Sequence, residues 1–393
     1  MNNAYDVIVV GAGPAGSLCA KTLAENRVRV LLLEKHKVIG QPLCCAEAIS
    51  YSGLTAFFPP RREWISSHTN KVLLVSPKGE KLQINHPQAG FVLNRKVFDK
   101  DLALMAESAG AEVKVGSQAI ELLKENNSYV KGVKVWEKGR TIDYQAKIVV
   151  GADGIESQIG RWAGLNTTLS TDKIESCAQY LLEDIEVQSN CMEFYLGQKI
   201  APGGYVWVFP KGENCANVGV GIAPHISSEK AINYLDRFIK SRFGHYKVKE
   251  KMMGGVPVFD KNSPLVKENV LLVGDAGRIV DSLSGAGIYN AMLSGKICAE
   301  VISQYLHNGK SPISFLQEYY RRLMYDKGKE LRFYAYCRAI YLKLKDDDFD
   351  LIVSFLKNYF GEEEVKGIEP ISIIKTILRF NPKIVLLARH LVW

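Results

Sequence analysis

Residues 5–34 read YDVIVVGAGPAGSLCAKTLAENRVRVLLLE. Tyr5–Val10 is a short Val- and Ile-rich run closed by Gly11, the pattern of a strand buried on both faces. Pro14 to Asn26 then reads as a helix, with Ala15, Leu18, Cys19 and Leu23 on one side. Val28–Leu33 is a second buried strand, and it ends at Glu34. A βαβ unit in the first 34 residues predicts α/β architecture. Between its first strand and its helix lies G-x-G-x-x-G, formed by Gly11, Gly13 and Gly16. The first glycine permits the tight turn, the second lets a pyrophosphate approach the backbone, and the third packs helix on strand. Free N–H groups and the positive end of the helix dipole then face the phosphates. Glu34 stands where an acid can accept hydrogen bonds from ribose hydroxyls.

The unit opens a chain of 393 residues, long enough for two or three parts. Lys and Arg total 50 against 42 Asp and Glu, a net charge of +8 that suits an anionic ligand or membrane surface. The apolar share of 47% provides for a core and excludes a disordered chain. No long Lys/Arg run points to nucleic acid. The eight cysteines include no C-x-x-C pair, so neither a zinc nor an iron–sulfur cage is expected, and no metal site is assigned. A cytoplasmic, reducing compartment is expected: no signal peptide precedes the first strand and no uncharged run of about 20 apolar residues could span a bilayer.

Further along, Asn94 to Ala109 reads as a helix, and Ala146–Val150 and Asn269–Val273 as apolar strands running into glycine. Between the last two, the runs Ala178–Leu182, Cys191–Leu196, Gly204–Phe209 and Cys215–Gly221 predict an antiparallel sheet. From Gly285 the pattern is helical to the end, and Leu331 to Leu356 looks helical within it. Val218-Gly219-Val220-Gly221 lies in a strand run rather than at a strand–helix turn, so it is no second dinucleotide site.

Two later segments narrow the dinucleotide to FAD. Val149-Val150-Gly151-Ala152-Asp153-Gly154 is followed by Ser157 and Arg161, and Leu272-Val273-Gly274-Asp275-Ala276 by Gly285-Ala286-Gly287-Ile288. Asp275, at a strand end, can bind a ribityl hydroxyl, and the Gly-rich turn lets helix N–H groups reach flavin and pyrophosphate. These motifs resemble the FAD-dependent oxidoreductases of the p-hydroxybenzoate hydroxylase class, over residues 5 to about 300. Arg95-x-x-Phe98-Asp99-x-x-Leu102 matches that class as well, where the Arg contacts the cofactor.

Three runs carry a closer resemblance: Pro42-Leu43-Cys44-Cys45-Ala46-Glu47-Ala48-Ile49-Ser50, Ser157-Gln158-Ile159-Gly160-Arg161-Trp162-Ala163-Gly164, and Pro202-Gly203-Gly204-Tyr205-Val206-Trp207-Val208-Phe209-Pro210. Together they look like the geranylgeranyl reductase family, whose members hydrogenate isoprenoid double bonds. The family pattern P-x-x-C-G-E-G is met at Cys45 and Glu47, while Ala46 and Ala48 replace glycines and Cys44 is an extra thiol. The resemblance implies a Rossmann-like FAD-binding domain over 1–70, 95–164 and 256–300, an antiparallel-sheet substrate domain over 71–94 and 165–255, and a helical C-terminal region over 301–393. It implies cofactor contacts at Gly11, Gly13, Ala15, Gly16, Glu34, Lys35, Cys45, Ala46, Ala48, Arg95, Ala119, Asp153, Gly154, Asp275, Gly285, Gly287 and Ile288.

On a strand, Tyr205, Trp207 and Phe209 alternate to one face, which suits a long apolar substrate. Reduced flavin supplies a hydride for alkene hydrogenation, and a proton must come from elsewhere. Cys45 is the first candidate donor and Tyr205 the second. The expected activity is reduction of geranylgeranyl chains, foremost on glycerophospholipid precursors. NAD(P)H, a ferredoxin or a reduced deazaflavin is the expected electron donor. Two other classes stay open: a flavin monooxygenase or halogenase, whose W-x-W-x-I-P run is met only in part, and a prenyl-binding escort protein that needs no tight FAD contacts. Near the end, Ile371, Ile374, Ile377 and Leu378 recur at helical spacing among Lys375, Arg379, Lys383 and Arg389, consistent with a helix touching the inner face of the membrane.

Overall fold

A computed structural model describes residues 3–125 and 129–360. The chain forms two compact units. One takes residues up to Leu43, Arg95–Leu169 and Pro257–Phe333; the other takes Cys44–Asn94, Ser170–Val256 and the chain from Tyr334. The expected domain limits shift accordingly. Residues 44–70 belong to the second unit, because Ile65–Val75 pairs along Lys81–Leu93 as one long hairpin. Residues 301–333 belong to the first unit, because Ile288–Asn308 runs on without a break past residue 300.

In the first unit the predicted βαβ start is a parallel pair, Ala4–Val10 beside Val30–Glu34, around the helix Pro14–Glu25. The sheet order is Val266–Lys267, Val270–Leu272, Arg140–Gly151, Ala4–Val10, Val30–Glu34, Glu112–Val115. The last five are parallel; Ala4–Val10, Val30–Glu34, Val270–Leu272 and the end of Arg140–Gly151 are mostly buried, as their Val/Leu/Ile runs require, while the edge strand Glu112–Val115 is partly exposed. Arg140–Gly151 extends far beyond the expected Ala146–Val150, because its first half pairs with Tyr129–Glu137, which in turn pairs with Ser117–Glu125. Helix Ile288–Asn308 lies so close on Pro14–Glu25 that a Cβ at Gly295 would fall 2.2 Å from the Ala15 carbonyl oxygen.

The second unit is built on an eight-stranded sheet in the order Lys247–Pro257, Ile174–Glu183, Cys215–Ile222, Tyr205–Pro210, Cys191–Leu196, Ile65–Val75, Lys81–Leu93, Ala48–Ser50. Cys191–Leu196 and Ile65–Val75 run parallel, so the sheet is antiparallel with one exception among its recorded registers. The period-2 alternation predicted for these strands sorts the two faces. Tyr180, Leu182, Val206, Val208, Val218 and Val220 face the helix Ala231–Arg242 and make one core with Tyr234, Leu235 and Phe238. The other face carries Trp207 and Phe209. The stretch expected to be helical, Leu331–Leu356, is covered by two helices, Gly328–Tyr341 and Asp346–Phe360. The expected membrane helix around Ile371–Arg389 lies outside the described residues.

Candidate functional site

The glycines of the first turn divide by what surrounds them. Gly11, at φ +107°, would place a Cβ 2.3 Å from the Ala152 carbonyl oxygen, and Gly16 one 1.9 Å from that of Gly11. Both are demanded by the protein itself. Gly13 is different: its φ of −73° suits any residue, and a Cβ there meets no atom within 4 Å. Glycine at 13 therefore keeps a cradle empty at the start of a helix whose first N–H groups are free, as a pyrophosphate requires. Glu34 braces this turn. Its Oε2 accepts the Ala12 N–H at 3.0 Å, and its Oε1 accepts the His36 N–H at 2.9 Å.

Other expected cofactor residues converge on the same turn. The Ala152–Asp153 backbone lies against Gly11, and a Cβ on Gly274 would touch Ala15. Asp275 stands at the start of helix Ile288–Asn308, where a Cβ on Gly287 would sit 3.4 Å from its Oδ1. Among the described residues no hydrogen bond reaches the Asp275 carboxylate; burial pushes its pKa up and Arg95 pulls it back. Arg95 is itself held by two bonds to Asp99, 2.6 and 2.7 Å, with Phe98 and Leu102 buried behind, which accounts for the R-x-x-F-D-x-x-L spacing. Asp153 Oδ2 accepts the Ile159 N–H at 2.9 Å, while its buried Oδ1 has no partner among the described residues. An empty cradle, an orphaned carboxylate oxygen and an unpartnered Asp275 are what an FAD would fill and satisfy. Gly154 and Gly285 take φ of +68° and +72° at the turns that present these groups, and Ile288 is buried at the helix start. Lys35 pairs at the surface with Glu156, and Ala119 sits on Ser117–Glu125 opposite Val135, packed on the sheet core.

In the second unit Tyr205, Trp207 and Phe209 do share one face. They cluster with Val92, Met192, Phe194 and Cys177, and Ala46 and Ala48 pack on the same cluster. Trp207 and Phe209 are buried; Tyr205 and Phe194 stay partly exposed, their ring centroids 5.4 Å apart. The loop 44–47 is fixed at every residue. The Cys44 thiol turns away to donate to the Met253 carbonyl, at 3.2 Å. Cys45 Sγ accepts the Glu47 N–H at 3.2 Å, and the Cys45 carbonyl accepts Gln179 Nε2 at 3.1 Å. Glu47, 2% exposed, takes Lys211 Nζ at 2.6 Å and Asn217 Nδ2 at 2.7 Å. The two alanines in glycine positions are accommodated because the left-handed residue here is Glu47, φ +72°, and not Ala46 or Ala48.

Gln179, Lys211, Asn217 and Cys177 were not singled out by sequence. A polar Gln within the apolar run Cys177-Ala178-Gln179-Tyr180 was the available signal for the first. For Val218-Gly219-Val220-Gly221 the structure supplies a reason: a Cβ on Gly219 would lie 2.3 Å from Trp207 Cζ2, so the glycine makes room for the indole.

Comparison with known proteins agrees with these features. The FAD dependent oxidoreductase family matches residues 6–203, and the geranylgeranyl reductase catalytic domain matches 173–256. The digeranylgeranylglycerophospholipid reductase of Methanothrix thermoacetophila is 39% identical over 98% of this chain and 99% of its own. That of Methanocella arvoryzae is 41% identical over 97% of each. The crystal structure of a geranylgeranyl bacteriochlorophyll reductase-like protein from Thermoplasma acidophilum, 34% identical, superposes with a TM-score of 0.92 over 99% of each chain. With cradle, carboxylates and full-length similarity in agreement, the chain belongs to the digeranylgeranylglycerophospholipid reductase family of FAD-dependent oxidoreductases.

Proposed function

We propose that this protein hydrogenates C=C bonds of geranylgeranyl chains carried on a glycerophospholipid precursor. The observation that carries the reading is the aromatic face of Tyr205, Trp207 and Phe209, bordered by the Cys45 loop, within the segment that matches the catalytic domain. Gly11, Gly13, Gly16, Glu34, Arg95 and Asp275 would hold FAD, which when bound and reduced would supply a hydride for one alkene carbon. The Cys45 thiol gives the proton to the other carbon and recovers it from solvent. The C=C bond thus becomes a C–C bond with two new C–H bonds, and the two electrons come from the donor that reduces the flavin: NAD(P)H, a ferredoxin or a reduced deazaflavin. Tyr205 and Phe194, the partly exposed rings, contact the prenyl chain, while buried Trp207 and Phe209 hold them in place. No helix among the described residues is long and apolar enough to cross a membrane, and the substrate is met at the membrane surface by peripheral contact.

The test is anaerobic. Protein reduced with dithionite is mixed with digeranylgeranylglycerophospholipid, a prenylated quinone, a prenylated chlorin or geranylgeranyl diphosphate, and return of oxidised flavin absorbance is followed. Fast return with the glycerophospholipid alone is expected; no return with any of the four overturns the reading. Cys45→Ser should keep FAD and dithionite reduction but slow the alkene step by about 10²–10⁴-fold, the usual range for lost general acid catalysis. Cys44→Ser, on the thiol turned to Met253, should change little.

A further inference from the structure

Three residues stand directly opposite one another across three strands: Gln179, Gly219 and Trp207. A side chain at the middle position would keep the outer two apart. Glycine there lets the indole lean across the central strand, where Trp207 Nε1 donates to Gln179 Oε1 at 2.8 Å. The φ of Gly219 is not in the left-handed region, so its purpose is space rather than backbone freedom. The other end of the same amide donates to the Cys45 carbonyl at 3.1 Å and approaches Met252 Sδ at 3.6 Å. Gln179 is 4% exposed and has both ends of its amide bonded. One buried amide thus joins the aromatic face to the thiol loop.

We propose that Gln179 is a positioning residue for the reduction, locking the Trp207 indole and the Cys45 backbone into a single hydrogen-bonded chain so that alkene contact and proton donor keep one register. This rests on the reading of Cys45 and Trp207 given above. Only an amide of this length serves both partners: its oxygen must accept from an indole and its nitrogen must donate to a carbonyl. A Leu of similar size fills the space and makes neither bond. A Glu accepts from the indole in either form, but donates to the Cys45 carbonyl only when protonated. The titratable groups nearest position 179 are Cys45 on the loop and Cys177 and Glu175 on its own strand face; Glu250 lies two residues before Met252 along the strand that approaches the Gln179 amide. Burial pushes the Cys177 thiol up to about 12, and Glu175 is tied to Arg338, so wild-type protein measured in parallel separates their titration from that of the new carboxyl.

The experiment uses FAD-loaded protein, reduced anaerobically and reoxidised by digeranylgeranylglycerophospholipid at pH 5 to 8. Gln179→Leu should retain FAD and dithionite reduction and lose up to about a hundredfold in the alkene step, the scale of a 1 Å misplacement. Gln179→Glu should match Gln179→Leu at pH 8 and recover toward wild type as the pH falls through the pKa of its buried carboxyl. Gly219→Ala, which drives the indole off its seat while keeping the amide, should show the same loss, and the Gln179→Leu, Gly219→Ala double variant should be no worse than either. If Gln179→Leu does not fold, the Gln179→Glu profile and Gly219→Ala still decide. A pH-independent loss in Gln179→Glu, or additive losses in the double variant, overturns the positioning role. Full rates in the Gln179 variants beside a slow Cys45→Ser overturn it alone, and full rates in all of them overturn the reading of Cys45 as well.

Discussion

Gly13 and Gly16 look alike in sequence and differ in what they answer to. A Cβ at 16 would collide with the Gly11 carbonyl, while one at 13 would enter open space. Gly13→Val should therefore give a folded protein, with a thermal transition close to that of wild-type apoprotein, that purifies without FAD. Gly16→Val should fail to accumulate as folded protein. Flavin absorbance and circular dichroism, measured on both, check the pair; a Gly13→Val protein that is yellow would move the pyrophosphate elsewhere. Asp275 allows a second test with a sign. Burial raises its pKa above that of the unfolded chain, so its ionised form destabilises the apoprotein. The penalty is absent below the unfolded carboxyl range near pH 4 and is complete once pH exceeds the raised folded value. Asp275→Asn should stabilise the apoprotein at pH 7, with the gain shrinking toward pH 4, and should weaken FAD by roughly 10–100-fold, the worth of a hydrogen bond to a charged group. The positions of Gly11, Gly16, Glu34 and Asp275 were legible from spacing alone, because each is fixed by the local geometry of a strand–turn–helix. Gln179 was not, since its meaning depends on a glycine and a tryptophan on two other strands.

At the scale of elements, the loop 44–47 is held by one buried ion pair. Lys211 comes from the residue after strand Tyr205–Pro210, also donates to the Leu93 carbonyl at 2.6 Å, and is 13% exposed. Its pairing with Glu47 compensates a left-handed non-glycine residue, a conformation that costs about 1–2 kcal/mol. Lys211→Met should strand the Glu47 charge and destabilise the protein by roughly 3–5 kcal/mol, whereas adding Glu47→Gln should restore most of it. Denaturant unfolding of the three proteins measures this, and a Lys211→Met protein of wild-type stability would show that Asn217 suffices. The helices show the converse, a signal present in sequence and passed over. Leu331–Leu356 looks helical in sequence, yet the chain breaks and restarts at Asp346. Asp348 Oδ2 accepts the Lys345 N–H at 2.9 Å, and Asp346 Oδ1 accepts the Gln198 N–H at 2.6 Å. An acid three residues into a helix bonding back to the preceding N–H is a start signal, so the run Asp346-Asp347-Asp348 marks a new helix rather than a charged patch within an old one. Likewise, Ile65–Val75 escaped notice because polar Ser67, His68, Thr69 and Asn70 interrupt its alternation, although its pairing with Lys81–Leu93 is continuous apart from two irregularities.

Over the whole molecule, fold class followed from a few buried parallel strands, while the division into units did not, since the chain passes between them five times, once within the helix Gly328–Tyr341, with no break in composition to mark it. Charge is the property that belongs to no single element. A net +8 spread over 393 residues has no role in forming either core, and it matters where the protein meets an anionic lipid surface. Each Lys or Arg near such a surface contributes about 1 kcal/mol, and only within a Debye length. That length falls from roughly 14 Å at 50 mM salt to about 4 Å at 500 mM. Digeranylgeranylglycerophospholipid presented in anionic vesicles should therefore be reduced at least about tenfold more slowly at the higher salt, if two or more cations lose their attraction. The same substrate in neutral detergent micelles should be reduced at a rate that changes by less than about twofold, because an apolar chain on an aromatic face is insensitive to ionic strength. Co-sedimentation with the vesicles should fall in step with the vesicle rate. Equal slowing in micelles and vesicles would place the salt effect inside the protein, and a vesicle rate indifferent to salt would mean that the substrate is reached without help from the protein's charge.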